Sequence, residues 1–203
     1  FSLMAGINWT GTDDADRKVG TNEADTLDGG KGDDEILSGA GNDTIEGGRG
    51  NDVIYGGTGN DTITDEDLDT TSAQSLYGEG GDDVITGGGK LYGGDGNDTI
   101  NYTEIGNDLW NGRADGGEGN DTINVTAGVA YVYGGAGDDT ITIEDAAIYN
   151  IDAGDGDDKV TISGSSDQDY WYETFMRAGD DTLDVSDWSG KTTDTFAAEG
   201  GDG

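Results

Sequence analysis

Cysteine and histidine are both absent from the 203 residues, and each absence removes a class of chemistry. Without cysteine there are no disulfides and no thiolate metal site. Without histidine, zinc centres of the His or Cys type are excluded, and neither a Ser-His-Asp triad nor an H-E-x-x-H site exists within these residues. No G-x-S-x-G is present. Basic residues are scarce: 9 Lys and Arg face 45 Asp and Glu, for a formal charge of −36. A polyanion repels nucleic acid, so no nucleic-acid partner is expected and the balance favours cations. No apolar run is long enough for a membrane span, and residues 1–10 lack a basic start and a signal-peptide pattern. The chain does not open on methionine, and it closes on Gly200-Gly201-Asp202-Gly203 in mid-repeat, so a fragment of a longer protein is expected.

Hydrophobic content is 31%, and 40 residues are glycine. Such a composition usually signals disorder. The order of the residues argues otherwise. Gly47-Gly48-Arg49-Gly50-Asn51-Asp52-Val53-Ile54-Tyr55 is followed at once by Gly56-Gly57-Thr58-Gly59-Asn60-Asp61-Thr62-Ile63-Thr64. The period is nine, and the pattern is G-G-x-G-x-D-x-U-x with U a large aliphatic. Further copies start at Gly29, Ser38, Gly78, Gly93, Gly116, Gly134 and Ala153, with weaker ones at Gly11, Gly20 and near Met176. The glycines at positions one, two and four shape a tight turn whose carbonyls can face a cation. They are Gly29, Gly30, Gly32, Gly39, Gly41, Gly47, Gly48, Gly50, Gly56, Gly57, Gly59, Gly78, Gly81, Gly93, Gly94 and Gly96, then Gly116, Gly117, Gly119, Gly134, Gly135, Gly137, Gly154, Gly156 and Gly179. The aspartate at position six adds a hard carboxylate oxygen of the kind calcium prefers. The last three residues predict a short strand whose middle side chain points inward. That inward series is Leu27, Ile36, Ile45, Ile54, Ile63, Leu76, Ile85, Leu91, Ile100, Ile123, Val132, Ile141, Ile151, Val160 and Leu183, one residue per strand.

These repeats resemble the RTX (repeats-in-toxin, hemolysin-type calcium-binding) family over nearly all of the chain after Thr10. The resemblance implies an all-β fold, a right-handed parallel β-roll or β-solenoid. Two nonapeptides make a coil, and each calcium is shared by two stacked turns through their position-six aspartates and turn carbonyls. Two carboxylates about 4.8 Å apart repel by roughly 3–4 kcal/mol at an effective dielectric near 20. Calcium between them reverses the sign. The metal ligands implied are Asp25, Asp34, Asp43, Asp52, Asp61, Asp83, Asp98, Asp121, Asp139, Asp158 and Asp181, with the turn glycines named above. At one ion per stacked pair the expected load is roughly ten Ca2+ ions.

Sorting the turns by edge predicts an asymmetry. One edge collects Asp25, Asp43, Asp61, Asp83, Asp98, Asp121, Asp139, Asp158 and Asp181. The other starts with Asp16, Asp34 and Asp52 and stops after Thr64. The expected organisation is a flanking or cap segment at 1–10, a regular two-edged roll at 11–64, and at 65–203 a roll with one calcium edge. Irregular segments are expected opposite that edge at 65–74, 87–89, 102–112, 125–130, 143–149, 162–172 and 185–195. Asp14, Glu23 and Lys18 break the pattern in the first coil, which is either a cap or the continuation of an upstream part. The turn before Asp181 reads as one residue short.

Tyr55, Tyr77, Tyr92 and Tyr133 share position nine on one sheet, either stacking across strands or forming a contact stripe. Tyr102, Trp110, Tyr149, Tyr170, Trp171, Tyr172 and Trp188 fall on the irregular edge, where they either cover the thin core or contact a carbohydrate or protein ligand. Exposed end strands make end-to-end self-association a further expectation. Pairs such as Asp82-Asp83 are better explained as turns than as acid–base dyads, so no catalytic residues are expected. The resemblance implies a secreted or cell-surface protein that leaves through a one-step (type I) channel and folds on calcium outside the cell. Its role would be structural or adhesive, as in an adhesin, S-layer-like or matrix protein. The alternative is the non-catalytic C-terminal portion of a secreted protease, lipase, epimerase or cytolysin. An enzyme built on the roll itself is a third.

Overall fold

The computed structural model describes residues 5–65, 74–103, 112–126, 129–164, 172–186 and 196–199. Strands alternate between two ten-stranded sheets, so that each strand pairs with the next but one in sequence, always in parallel. The first sheet holds Asn8–Thr10, Thr26–Lys31, Thr44–Arg49, Thr62–Asp65, Val84–Gly87, Thr99–Tyr102, Thr122–Val125, Thr140–Glu144, Lys159–Ser163 and Thr182–Asp184. The second holds Arg17–Val19, Glu35–Ala40, Val53–Thr58, Ser75–Gly80, Lys90–Asp95, Gly112–Glu118, Val129–Ala136, Ala147–Asp155, Tyr172–Phe175 and Phe196–Glu199. Among the described residues there is no helix. The fold is a parallel β-solenoid, as the nonapeptide period predicts.

The predicted inward series is buried at 0–1% exposure from Leu27 to Val160, while Leu183 packs partly buried against its end. In-register stacks such as Ile45 on Ile63 and Ile85 on Ile100 on Ile123 fill the space between the sheets. Parallel sheets covered on their inner face need such unbroken aliphatic rows. The predicted core of one residue per strand holds only for the first coils. Later coils add a second row, in which Tyr102, Val125, Ile143 and Ile162 are mutually in register and buried. Ile148, Ala153 and Met176 are buried as well.

That second row changes the reading of the irregular edge. Asp65, Gly87, Tyr102, Val125, Ile143 and Ile162 continue a single register row. The row begins in the short edge's calcium-type turns and ends as apolar core. Segments expected to be irregular are therefore partly sheet: Ala147 to Tyr149 lie in a strand, and only Asp145 and Ala146 separate Thr140–Glu144 from it. Coil length varies with what fills the edge, from the 15 residues between paired Ser75 and Lys90 to the 24 between paired Tyr172 and Phe196.

At the N-terminal end, Trp9 pairs with Leu27 in register and packs against the core. Lys18 sits opposite Ile36, with its ammonium 5.5 Å from the Trp9 ring centroid. Here the lysine stem and an indole lie over the aliphatic layer of Leu27 and Ile36. The turn before Asp181 is complete rather than short. Arg177 occupies position two at φ 58, and Gly179 occupies position four at φ 147.

Candidate metal centre: a ladder of buried carboxylates

The nine aspartates of the long edge form one continuous hydrogen-bonded ladder. The backbone N–H of Asp25 donates to Asp43 Oδ1 at 2.7 Å, Asp43 to Asp61 at 2.8 Å, Asp61 to Asp83 at 2.7 Å and Asp83 to Asp98 at 2.8 Å. Asp98 then donates to Asp121 and Asp121 to Asp139 at 2.7 Å, Asp139 to Asp158 at 2.8 Å and Asp158 to Asp181 at 3.0 Å. The short edge repeats the geometry from Asp16 to Asp34 and from Asp34 to Asp52, both at 2.7 Å.

One oxygen of each carboxylate is thus spent on the preceding turn. The other, Oδ2, is buried without a hydrogen-bond partner in Asp34, Asp43, Asp61, Asp83, Asp98, Asp121, Asp139, Asp158 and Asp181. An unpaired buried charge is among the costliest features a fold can carry. Burial lifts the carboxyls of Asp83 and Asp139 to about 7 and those of Asp61, Asp98, Asp121 and Asp158 to about 6, although each accepted backbone N–H pulls the other way. Neighbouring ladder carboxylates add to the rise, as Asp98 and Asp61 do for Asp83.

The turn glycines make room for these oxygens. A Cβ at Gly56 would stand 2.6 Å from Asp61 Oδ2 and 2.9 Å from the carbonyl oxygen of Gly78 in the next turn. Carboxylate and carbonyl oxygens therefore converge at position one, and a larger residue would fill the cradle. Gly57 and Gly59 in the same turn take φ of 103° and 123°, a region that L side chains enter at a cost. Among the described residues no three acidic side chains meet at one point. Any cation must be held by carboxylates together with backbone carbonyls. That all-oxygen donor set fits Ca2+, a hard ion tolerant of irregular geometry. The calcium would neutralise Oδ2 oxygens of stacked turns, and the ladder residues with the turn carbonyls would hold it.

The first coil differs in a way its departures from the pattern explain. Thr21 stands where position-two glycine is expected, and its N–H donates to Asp25 Oδ2 at 2.6 Å while its hydroxyl donates to Oδ1 at 3.0 Å. Thr12 treats Asp16 Oδ2 likewise, at 2.6 and 2.9 Å. Both oxygens of Asp25 are therefore satisfied by protein donors, since Ile7 N–H also reaches Oδ1 at 2.6 Å.

A second ladder was not anticipated from the repeat. The position-five residues, read only as variable, run beside the first with opposite polarity. Asn60 N–H donates back to Asn42 Oδ1 at 3.1 Å, Asn97 to Asp82 at 2.9 Å, Asn120 to Asn97 at 2.9 Å, Asp138 to Asn120 at 2.9 Å and Asp157 to Asp138 at 2.9 Å. Asn and Asp place an acceptor at that reach, which is the signal the sequence held: from Asp33 to Asp180 position five of the nonapeptide turns is one or the other, whereas the first coil has Ala15 and Ala24 there.

On the outer face of the second sheet Tyr55, Tyr77 and Tyr92 stack at centroid spacings of 4.9 and 4.8 Å. Asp115 intervenes in register before Tyr133, and the Arg113 guanidinium bridges the gap, 5.4 Å from the Tyr92 ring and 4.1 Å from that of Tyr133. Arg113 also pairs with Asp115. Tyr102, expected on the loop edge, is instead fully buried, because its row has turned inward. Tyr149 stacks on Tyr131 at 5.7 Å. Trp110, Tyr170, Trp171 and Trp188 lie outside the described residues, as does the side chain of Tyr172.

A solenoid of glycine turns lined by buried carboxylates defines a calcium-binding β-roll. The family model of the RTX calcium-binding nonapeptide repeat matches residues 10–45, 38–64, 72–89, 90–109 and 113–142. The chain belongs to this family, and its repeats are calcium-binding repeats. The ladder continues past the matched residues, through Asp158 to Asp181. A comparison with curated proteins finds no match. Among the described residues no helix is long and apolar enough to cross a membrane.

Proposed function

We propose that this chain is a calcium-dependent folding module of a secreted protein, with a structural or adhesive rather than catalytic role. The observation that carries the reading is the row of buried Oδ2 oxygens without partners along the long edge. In the cell interior, where calcium is scarce, those charges oppose folding and keep the chain in a form that a narrow export channel accepts. Outside, calcium occupies the stacked turns. The eight steps of the long ladder and the two of the short one suggest roughly ten ions, whose charge offsets about half of the −36. At a concentration about 100 times its dissociation constant, each independent site adds roughly 2.7 kcal/mol. Several such sites exceed the stability of an ordinary domain. Each ion orders a turn used by the next, so binding is cooperative. The stacked Tyr55-Tyr77-Tyr92 face supports a carbohydrate- or protein-contacting role for the assembled roll.

Circular dichroism during a calcium titration from chelator, with magnesium as control, tests the folding switch. A steep, calcium-selective rise in β signal is the expected result. A folded spectrum indifferent to chelator refutes it.

A further inference from the structure

The short edge ends abruptly, and the way it ends has its own chemistry. On the long edge the position-one cradle at Gly56 receives Asp61 Oδ2 from its own turn and the carbonyl of Gly78 from the next. At Gly47, the last such glycine of the short edge, the own-turn oxygen is again present: a Cβ there would stand 2.8 Å from Asp52 Oδ2. The next turn's contribution has changed. Position one of that turn is Asp65, and its carboxylate, rather than a main-chain carbonyl, lies 2.9 Å from the same point. Asp65 is 1% exposed.

Position six has changed too. Ser75 N–H donates to the Asp52 carbonyl as Val53 N–H does to that of Asp34, so the residue before Ser75 takes the next place in the ladder. That residue is Gln74, 1% exposed, with Oε1 buried and without a hydrogen-bond partner. One further coil along, the same place is Gly89, whose carbonyl accepts Arg113 N–H as Gln74's accepts Lys90 N–H. It carries no side-chain oxygen, and the ladder cannot continue.

Between regular stacked turns the two carboxylates come from two position-six aspartates. Here one of them has moved from position six to position one, and a glutamine with a neutral amide takes the vacated place in the register. The count of two carboxylates is preserved. We infer that Asp52, Asp65 and Gln74 build a terminal calcium site that closes the short ladder, a site outside the nonapeptide pattern. It separates the calcium edge from the apolar row that starts at Tyr102. The inference rests on the calcium reading above.

The test is native mass spectrometry of the full chain at saturating calcium, counting bound ions, with the calcium midpoint followed by circular dichroism. Asp65→Asn preserves shape and removes a charge. One fewer bound ion with an unchanged β spectrum is expected, and an unchanged count overturns the site. Gln74→Glu restores a position-six carboxylate and keeps the test decisive if Asp65→Asn fails to fold. Its calcium midpoint falls if the site exists; if the site does not exist, an added buried charge raises the midpoint, and that result overturns the inference. If the unsubstituted chain binds no calcium, the family-based reading fails with it. If that chain binds calcium and Asp65→Asn loses none, only the terminal site fails.

Discussion

Replacing Asp121 by Asn separates the two jobs of a ladder carboxylate. Asp121 Oδ1 accepts the Asp98 N–H at 2.7 Å, and an asparagine Oδ1 keeps that bond. Its Oδ2 is buried and unpartnered, and there Asn puts an amide in place of the charge. The turn is shared by two stacked pairs, with Asp98 and with Asp139. A charge-assisted interaction contributes about 1.5–3 kcal/mol, so two weakened sites cost about 3–6 kcal/mol of calcium-bound stability. Spread over roughly ten cooperatively bound ions, this raises the calcium midpoint by about twofold to threefold, since 1.4 kcal/mol is a factor of ten for a single ion. Asp121→Ala also removes the acceptor for Asp98 N–H and should need still more calcium. The assay is the calcium titration followed by circular dichroism, repeated at several temperatures. A midpoint for Asp121→Asn equal to or below that of the unsubstituted chain would refute the assignment of Oδ2 to the metal.

Acid should partly replace calcium. The folded-state pKa values of about 6 to 7 lie above the value near 3.9 of an unfolded aspartate, so the folded roll binds protons more tightly. The stability from this protonation is fully present below pH about 4 and is lost as pH rises through about 6 to 7. Chelated protein should gain β signal between pH 7 and 5, whereas the calcium midpoint should rise over the same window as protons compete; no acid response in chelator would count against the buried-carboxylate account. Glu79 holds φ 74 at a position that is glycine in most turns, so Glu79→Gly should stabilise the calcium-loaded roll by about 1 kcal/mol and raise its melting temperature by about 2–4 °C. Tyr102→Ala should cost about 3–5 kcal/mol in a calcium-saturated thermal melt, as core removal does, while a change confined to ligand contact would leave the melt unaltered.

The nonapeptide period determined the fold class, the alternation between two sheets, the aliphatic series from Leu27 to Val160 and the membership of both aspartate edges. These follow from local geometry. Each nine-residue repeat closes one turn and adds one strand, so every ninth residue lands in an equivalent place on alternate sheets, although the strands run on into the first positions of the next repeat, as Thr44–Arg49 does. Tertiary structure decided what happens where the period breaks. Val125, Ile143 and Ile162 read as loop because they fall outside the pattern, yet the sheet extends through them and they fill a second core row. The partners of a side chain in a coil 15 to 24 residues away depend on how the intervening segment folds back, which no local pattern encodes. Thr21 satisfying Asp25, the ladder of position-five Asn and Asp residues, and Asp65 meeting Asp52 over Gly47 all belong to that level. Each arises from contact between stacked turns, or across a turn already closed, and exists only once the coils are laid on one another.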